Sequence, residues 1–148
     1  MTYISRLLAS FLYTGFIPKA PGTWGSLAGL IIWWFIPIED VLFQITLILL
    51  VFLLGVFVSE YIIRETGEAD PQFIVIDEVA GIWLSLLLIP REWHYFLIGF
   101  ILFRIFDIAK PTVVDRAQRV RDGFGVMLDD MVAGIITLTI MIGLIKIL

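Results

Sequence analysis

Apolar residues run through this chain in six long stretches, at about residues 2–16, 25–36, 41–63, 75–89, 93–109 and 126–147. Short breaks rich in proline, glycine or charge separate them, such as Pro37-Ile38-Glu39-Asp40 and Pro90-Arg91-Glu92. Stretches this long and this uniformly apolar predict helices rather than strands. At 1.5 Å per residue the third and last reach about 33 Å, enough for a hydrocarbon core of roughly 30 Å, whereas 25–36 reaches only about 18 Å. The pattern therefore predicts an all-α, polytopic membrane helical bundle. Four or five helices would span the membrane, accompanied by short re-entrant or interfacial helices. No repeat or linker divides the chain, so one domain over residues 1–148 is expected.

Composition strengthens this picture. Hydrophobic residues make up 60% of the 148 and charged residues only 16%, and the mean hydropathy is +1.01, beyond the range of ordinary soluble domains. With no cysteine there is no thiolate chemistry, and the single histidine, His94, argues against a histidine-based zinc site. A net charge of -4 leaves no general basic surface, so nucleic acid is not an expected partner. The first segment lacks a small-residue cleavage site and reads as retained. Positive charge gathers after residue 109, at Lys110, Arg116, Arg119 and Arg121, which places the 110–124 loop in the cytoplasm. Threading the segments back from that loop brings Asp77, Glu78, Arg104, Asp107, Asp129, Asp130 and the 17–26 loop to the same cytoplasmic end.

Acids at membrane depth are costly, so each is a functional candidate. Asp77-Glu78 opens a helix in IVIDEVAGIW. In FRIFDIAKP, Arg104, Asp107 and Lys110 follow one another at steps of about 60° and share a face. Asp129-Asp130 heads the last segment, each followed four residues later by Ala133 or Gly134, and such small residues allow helices to approach closely. A single acid pair near a helix start has a plain explanation in the helix dipole. Several pairs at one end repel one another unless a cation holds them, and a hard divalent ion with oxygen ligands is the natural one. Asp77, Glu78, Asp129 and Asp130 are the expected metal ligands. The two aspartates point about 100° apart and so should differ in role. Lys110 suits a phosphate monoester beside such a metal. Arg104 either joins it or simply pairs with Asp107. Arg116, Arg119 and Arg121 read as topology determinants and anionic-lipid contacts.

The turn KAPGTWGS opens directly into a helix. Thr23 or Ser26 could be an ordinary N-cap; alternatively the amides around Gly22, Thr23, Gly25 and Ser26 could bind phosphate at the helix N-terminus. Trp24, Trp33, Trp34, Trp83 and Trp93 are expected as interfacial anchors or lipid-facing residues. Glu60 and Asp70 are weaker site candidates.

Four blocks, APGTWGSLAG, IVIDEVAGIW, FRIFDIAKP and GFGVMLDDMVAG, together resemble the phosphatidylglycerophosphatase A family of bacterial membrane lipid phosphatases, in family order and over nearly the whole chain. The resemblance implies Mg²⁺-dependent conversion of phosphatidylglycerophosphate to phosphatidylglycerol and inorganic phosphate at the bacterial inner membrane. By motif it points to Thr23, to Asp77 and Glu78, to Arg104, Asp107 and Lys110, and to Asp129 and Asp130. The third block departs from the family pattern after Pro111, where Thr112, Val113 and Val114 follow. Attack by water or by an aspartate, metal count and oligomeric state stay open. Two rivals fit less of the chain. A CDP-alcohol phosphotransferase needs an extended DGxxAR motif, which fails after Asp122-Gly123, and a small cation transporter or channel subunit offers no reason for the lysine or the turn.

Overall fold

A computed structural model describes residues 2–37, 39–110 and 122–147. The expected basic loop with Arg116, Arg119 and Arg121, and the departure at Thr112, Val113 and Val114, lie outside the described residues.

Among the described residues there are helices and no strands: α1 (Thr2–Ala9), α2 (Pro21–Trp34), α3 (Val41–Thr66), α4 (Ile76–Ser85), α5 (Trp93–Ala109) and α6 (Asp122–Ile147), with one 3-10 turn at Thr14–Phe16. Local chemistry sets most of the boundaries. Asp40 accepts the Phe43 N–H at 2.9 Å and caps α3, and Gly67, at φ 73°, ends it in the left-handed region. Lys110 ends α5 in the same way at φ 41°. Left-handed Phe11, Leu12 and Tyr13 stop α1 after eight residues. α1 as described is thus about 12 Å long and is followed by a turn. Its end is tied to the start of α4 where the Val75 N–H donates to the Ala9 carbonyl at 2.9 Å.

α4 is the short central helix of the bundle, with Asp77, Val79, Ala80, Gly81, Ile82 and Trp83 all buried. It crosses α6 at glycine. A β-carbon on Gly81 would stand 2.6 Å from the Phe103 ring and 2.8 Å from the Asp130 carbonyl oxygen, and one on Gly134 would stand 2.7 Å from the Gly81 carbonyl. Small residues thus let the two acid-bearing helices touch through their backbones. Trp83 Nε1 donates to the Gly29 carbonyl of α2 at 2.8 Å, and its ring lies 5.4 Å from that of Trp33. Both tryptophans are core residues, which corrects the interfacial reading for this pair: the indole N–H has a buried carbonyl to satisfy it. Trp24 and Trp93 are exposed as expected.

Two helices, Val41–Thr66 and Asp122–Ile147, are long and apolar enough to cross a membrane. Their polarity is inverted relative to a soluble bundle. On α3, Gln44, Gly55 and Ser59 face inward while Leu50, Leu53 and Phe57 are exposed. On α6 the buried set includes Asp129, Asp130, Gly134 and Thr137, with Ile135 and Ile140 outside.

Candidate active site

At the end of the bundle where α2 and α4 begin and α5 finishes, a chamber of about 740 Å³ opens between the helices. Asp77 and Glu78 come from the first turn of α4, Arg104 and Asp107 from the last turns of α5, Lys110 from its C-cap, and Asp129 and Asp130 from the third turn of α6. Five carboxylates thus face two cations, an imbalance that buried charge does not tolerate without a further positive partner.

The carboxylates divide into two groups. Asp77, Glu78 and Asp130 each present an oxygen, and the three atoms lie within 4.8 Å of one another. Asp77 Oδ1, Glu78 Oε2 and Asp130 Oδ2 are buried and have no hydrogen-bond partner among the described residues. Asp107 and Asp129 are engaged with cations instead. Arg104 Nη1 meets Asp107 Oδ2 at 2.5 Å, and Lys110 Nζ meets Asp129 Oδ2 at 2.9 Å. The other oxygen of Asp129 accepts the Asp130 N–H at 3.1 Å. Burial alone would lower the pKa of the Lys110 ammonium, but its bond to Asp129 and the charges of Asp129, Asp130 and Asp107 outweigh that and raise it above the ordinary lysine value.

The trio suits a hard divalent cation. Three carboxylates this close together, each with one oxygen that has no hydrogen-bond partner among the described residues, match the oxygen ligation of Mg²⁺, which keeps the rest of its shell for water and phosphate. Asp129, included among the expected ligands, stands outside the trio because Lys110 holds it.

The 19–26 turn is placed differently from the expectation. Its helix begins at Pro21, with Ala20 as a left-handed N-cap and no side-chain cap, so neither Thr23 nor Ser26 caps it. The Thr23 and Trp24 amides already donate to the Ala20 carbonyl, and Gly25 and Ser26 lie within the helix, where amides bond back four residues. Gly22 lines the chamber, whereas Thr23, Gly25 and Ser26 do not. Gly22 instead makes room: a β-carbon there would collide with the Glu78 carboxylate and lie 3.3 Å from Arg104 Nη1. Gly25 packs against Val75. Ser26 gives its proton to the Gly22 carbonyl at 2.7 Å and accepts from Arg104 Nη1 at 3.3 Å, so it positions the arginine.

Asp70 lines the chamber, as do Gln72 and Asp122, which the sequence pattern did not single out. All three are exposed, and no periodicity marks such residues in advance. Glu60 is turned elsewhere. Its carboxylate accepts the Gly123 N–H at 2.9 Å and pairs with Arg64 at 2.6 Å, tying α3 to the first turn of α6.

Comparison with known proteins fits this arrangement. Proteins named phosphatidylglycerophosphatase A from Escherichia coli and Haemophilus influenzae are 34% and 38% identical to the chain, covering 89% and 88% of it and 78% and 82% of their own lengths. A Bacteroides thetaiotaomicron protein with the provisional name phosphatidylinositol-3-phosphatase is 35% identical over 90% of the chain and 89% of its own length. No solved structure matches the chain. The acid-lined, lysine-bearing helical bundle is that of a phosphatase. The family model described as Phosphatidylglycerophosphatase A matches residues 7–145, and the chain belongs to that family.

Proposed function

We propose that the protein is a membrane-embedded, Mg²⁺-dependent hydrolase that converts phosphatidylglycerophosphate to phosphatidylglycerol and inorganic phosphate at the cytoplasmic face of a bacterial inner membrane. The observation that carries this reading is the sorting of five carboxylates into an unpartnered trio and two cation-bound partners. Asp77, Glu78 and Asp130 would hold Mg²⁺, which when bound offsets phosphate charge and makes a coordinated water easier to deprotonate. Lys110 and Arg104 bind the phosphoryl oxygens and offset the charge that grows on them as the P–O bond to glycerol breaks. Asp129 and Asp107 orient these two cations. Gly22 keeps the space beside Glu78 open.

Membrane embedding is supported by the inverted polarity of α3 and α6, whose large apolar side chains face outward. With α2, α4 and α5 extended by their flanking residues the bundle has five spans, because α5 ends on the face where α4 begins and the chain must therefore cross once in each. The cytoplasmic orientation follows from the positive charge of Lys110, Arg116, Arg119 and Arg121.

The deciding experiment is phosphate release from phosphatidylglycerophosphate by purified, folded protein in detergent, with Mg²⁺ or with EDTA. Metal-dependent release is expected, and its absence would sink the reading. A parallel assay with phosphatidylinositol 3-phosphate tests the substrate, for which much slower turnover is expected. Faster turnover there would reassign it.

A further inference from the structure

Thr23, the motif residue that the chamber leaves out, lines a second hollow of about 500 Å³ between α2 and α5, together with Phe100, Ile101, Arg104, Ile105 and Ile108. The hollow extends along α5 from residue 109 to residue 100, about 13 Å at the helical rise. Ile101, Ile105 and Ile108 lie on one exposed face of the helix. Among the described residues, Arg104 alone lines both this hollow and the acidic chamber. Asp107 and Ser26 engage its Nη1, while its buried Nε has no hydrogen-bond partner among the described residues. One guanidinium therefore divides an anion-binding space from an apolar one, and the Thr23 hydroxyl is a second polar group at that boundary.

We propose that this hollow seats an acyl chain of the lipid phosphate, with the substrate lying across Arg104. Its phosphate occupies the chamber, its glycerol and ester oxygens lie near Thr23 and the Arg104 side chain, and its chain runs over Ile101, Ile105 and Ile108. The proposal rests on the lipid phosphatase reading and adds the route by which the substrate enters sideways, between α2 and α5. The occupant is argued from the lining: Arg104, shared with the anion-binding chamber, and Thr23 border an apolar floor of isoleucines, which matches the polarity of a lipid phosphate at its ester region.

Ile105→Trp fills the hollow without touching the acids, and Leu53→Trp on the outer face of α3 is the control. Each is assayed on dioleoyl and on dihexanoyl phosphatidylglycerophosphate in mixed micelles. Ile105→Trp is expected to raise KM about tenfold for the dioleoyl lipid, the loss of roughly two methylene contacts. It should change KM less than about threefold for the dihexanoyl lipid, with kcat held for both. Leu53→Trp should match wild type. Equal loss on both lipids, or no loss on either, would overturn the proposal, as would a change in oligomeric state without a KM difference. If wild type hydrolyses neither lipid, the phosphatase reading fails separately. The hollow is then judged by photo-crosslinking with a phosphatidic acid carrying a diazirine in its acyl chain: label within residues 100–109 supports it, and label elsewhere refutes it.

Discussion

Asp129 and Asp130 are neighbours in sequence with different surroundings: one is bound to Lys110, while the other has an unpartnered oxygen beside Asp77 and Glu78. On the proposed roles, Asp130→Asn should weaken the apparent Mg²⁺ affinity of turnover about 10- to 100-fold, by loss of a ligand. Asp129→Asn should leave the Mg²⁺ midpoint within about threefold and impair phosphate binding instead. Mg²⁺ titrations of both variants would separate them, and equal midpoint shifts would refute the division. Lys110→Ala should lower kcat by about 10²- to 10³-fold, the usual cost of losing a preorganised charge partner. Because the folded-state pKa of Lys110 is raised, its contribution to stability is complete below the ordinary lysine value of 10.5 and is lost only as pH climbs beyond it. Thermal melts of wild type and Lys110→Ala should accordingly differ by a constant amount between pH 6 and about pH 9. That the two aspartates differ was legible from their angular separation on a helix. Which one keeps an open oxygen was not, because it depends on how far a lysine nineteen positions away can reach.

At the scale of elements, the helices were legible wherever an apolar run met a strong boundary signal, as at Asp40 for α3 and at the end of α5. α2 begins four residues ahead of its apolar run, at Pro21, because proline favours the first helical position. Thr23 and Ser26 are cap-forming residue types lying inside α2, so the sequence carries two competing start signals, and the Thr23 and Trp24 amides bond to the Ala20 carbonyl within the helix. The burial of Trp33 and Trp83 is not legible in the sequence, because hydropathy cannot distinguish a tryptophan facing lipid from one facing a neighbouring helix. The small residues on the acid-bearing helices were read correctly as close-approach positions, and they carry a prediction. Gly81→Ala and Gly134→Ala should each destabilise the protein by about 1–3 kcal/mol through overpacking, whereas Gly143→Ala, with nothing within 4 Å of the added carbon, should change stability by less than about 1 kcal/mol. Thermal unfolding in one detergent compares all three, and equal effects would show that the crossing is not a steric stop.

For the molecule as a whole, the helical class and the gathering of acids at one end followed from hydropathy and loop charge alone. Number of spans did not, because α2, α4 and α5 are shorter than a bilayer and their roles depend on what packs around them. The helix lengths have a further consequence. α3 and α6, with 26 residues each, extend about 39 Å, while α2 with 14 residues extends about 21 Å. Embedded as proposed, the bundle presents lipids with a tall side and a low side. The surrounding leaflets must thin where α2 ends, at a cost that grows with each ångström of mismatch. The low side adjoins the hollow between α2 and α5, so bilayer thickness itself would regulate how readily a lipid enters: thin membranes should favour turnover and thick ones slow it, with no change in any residue of the site.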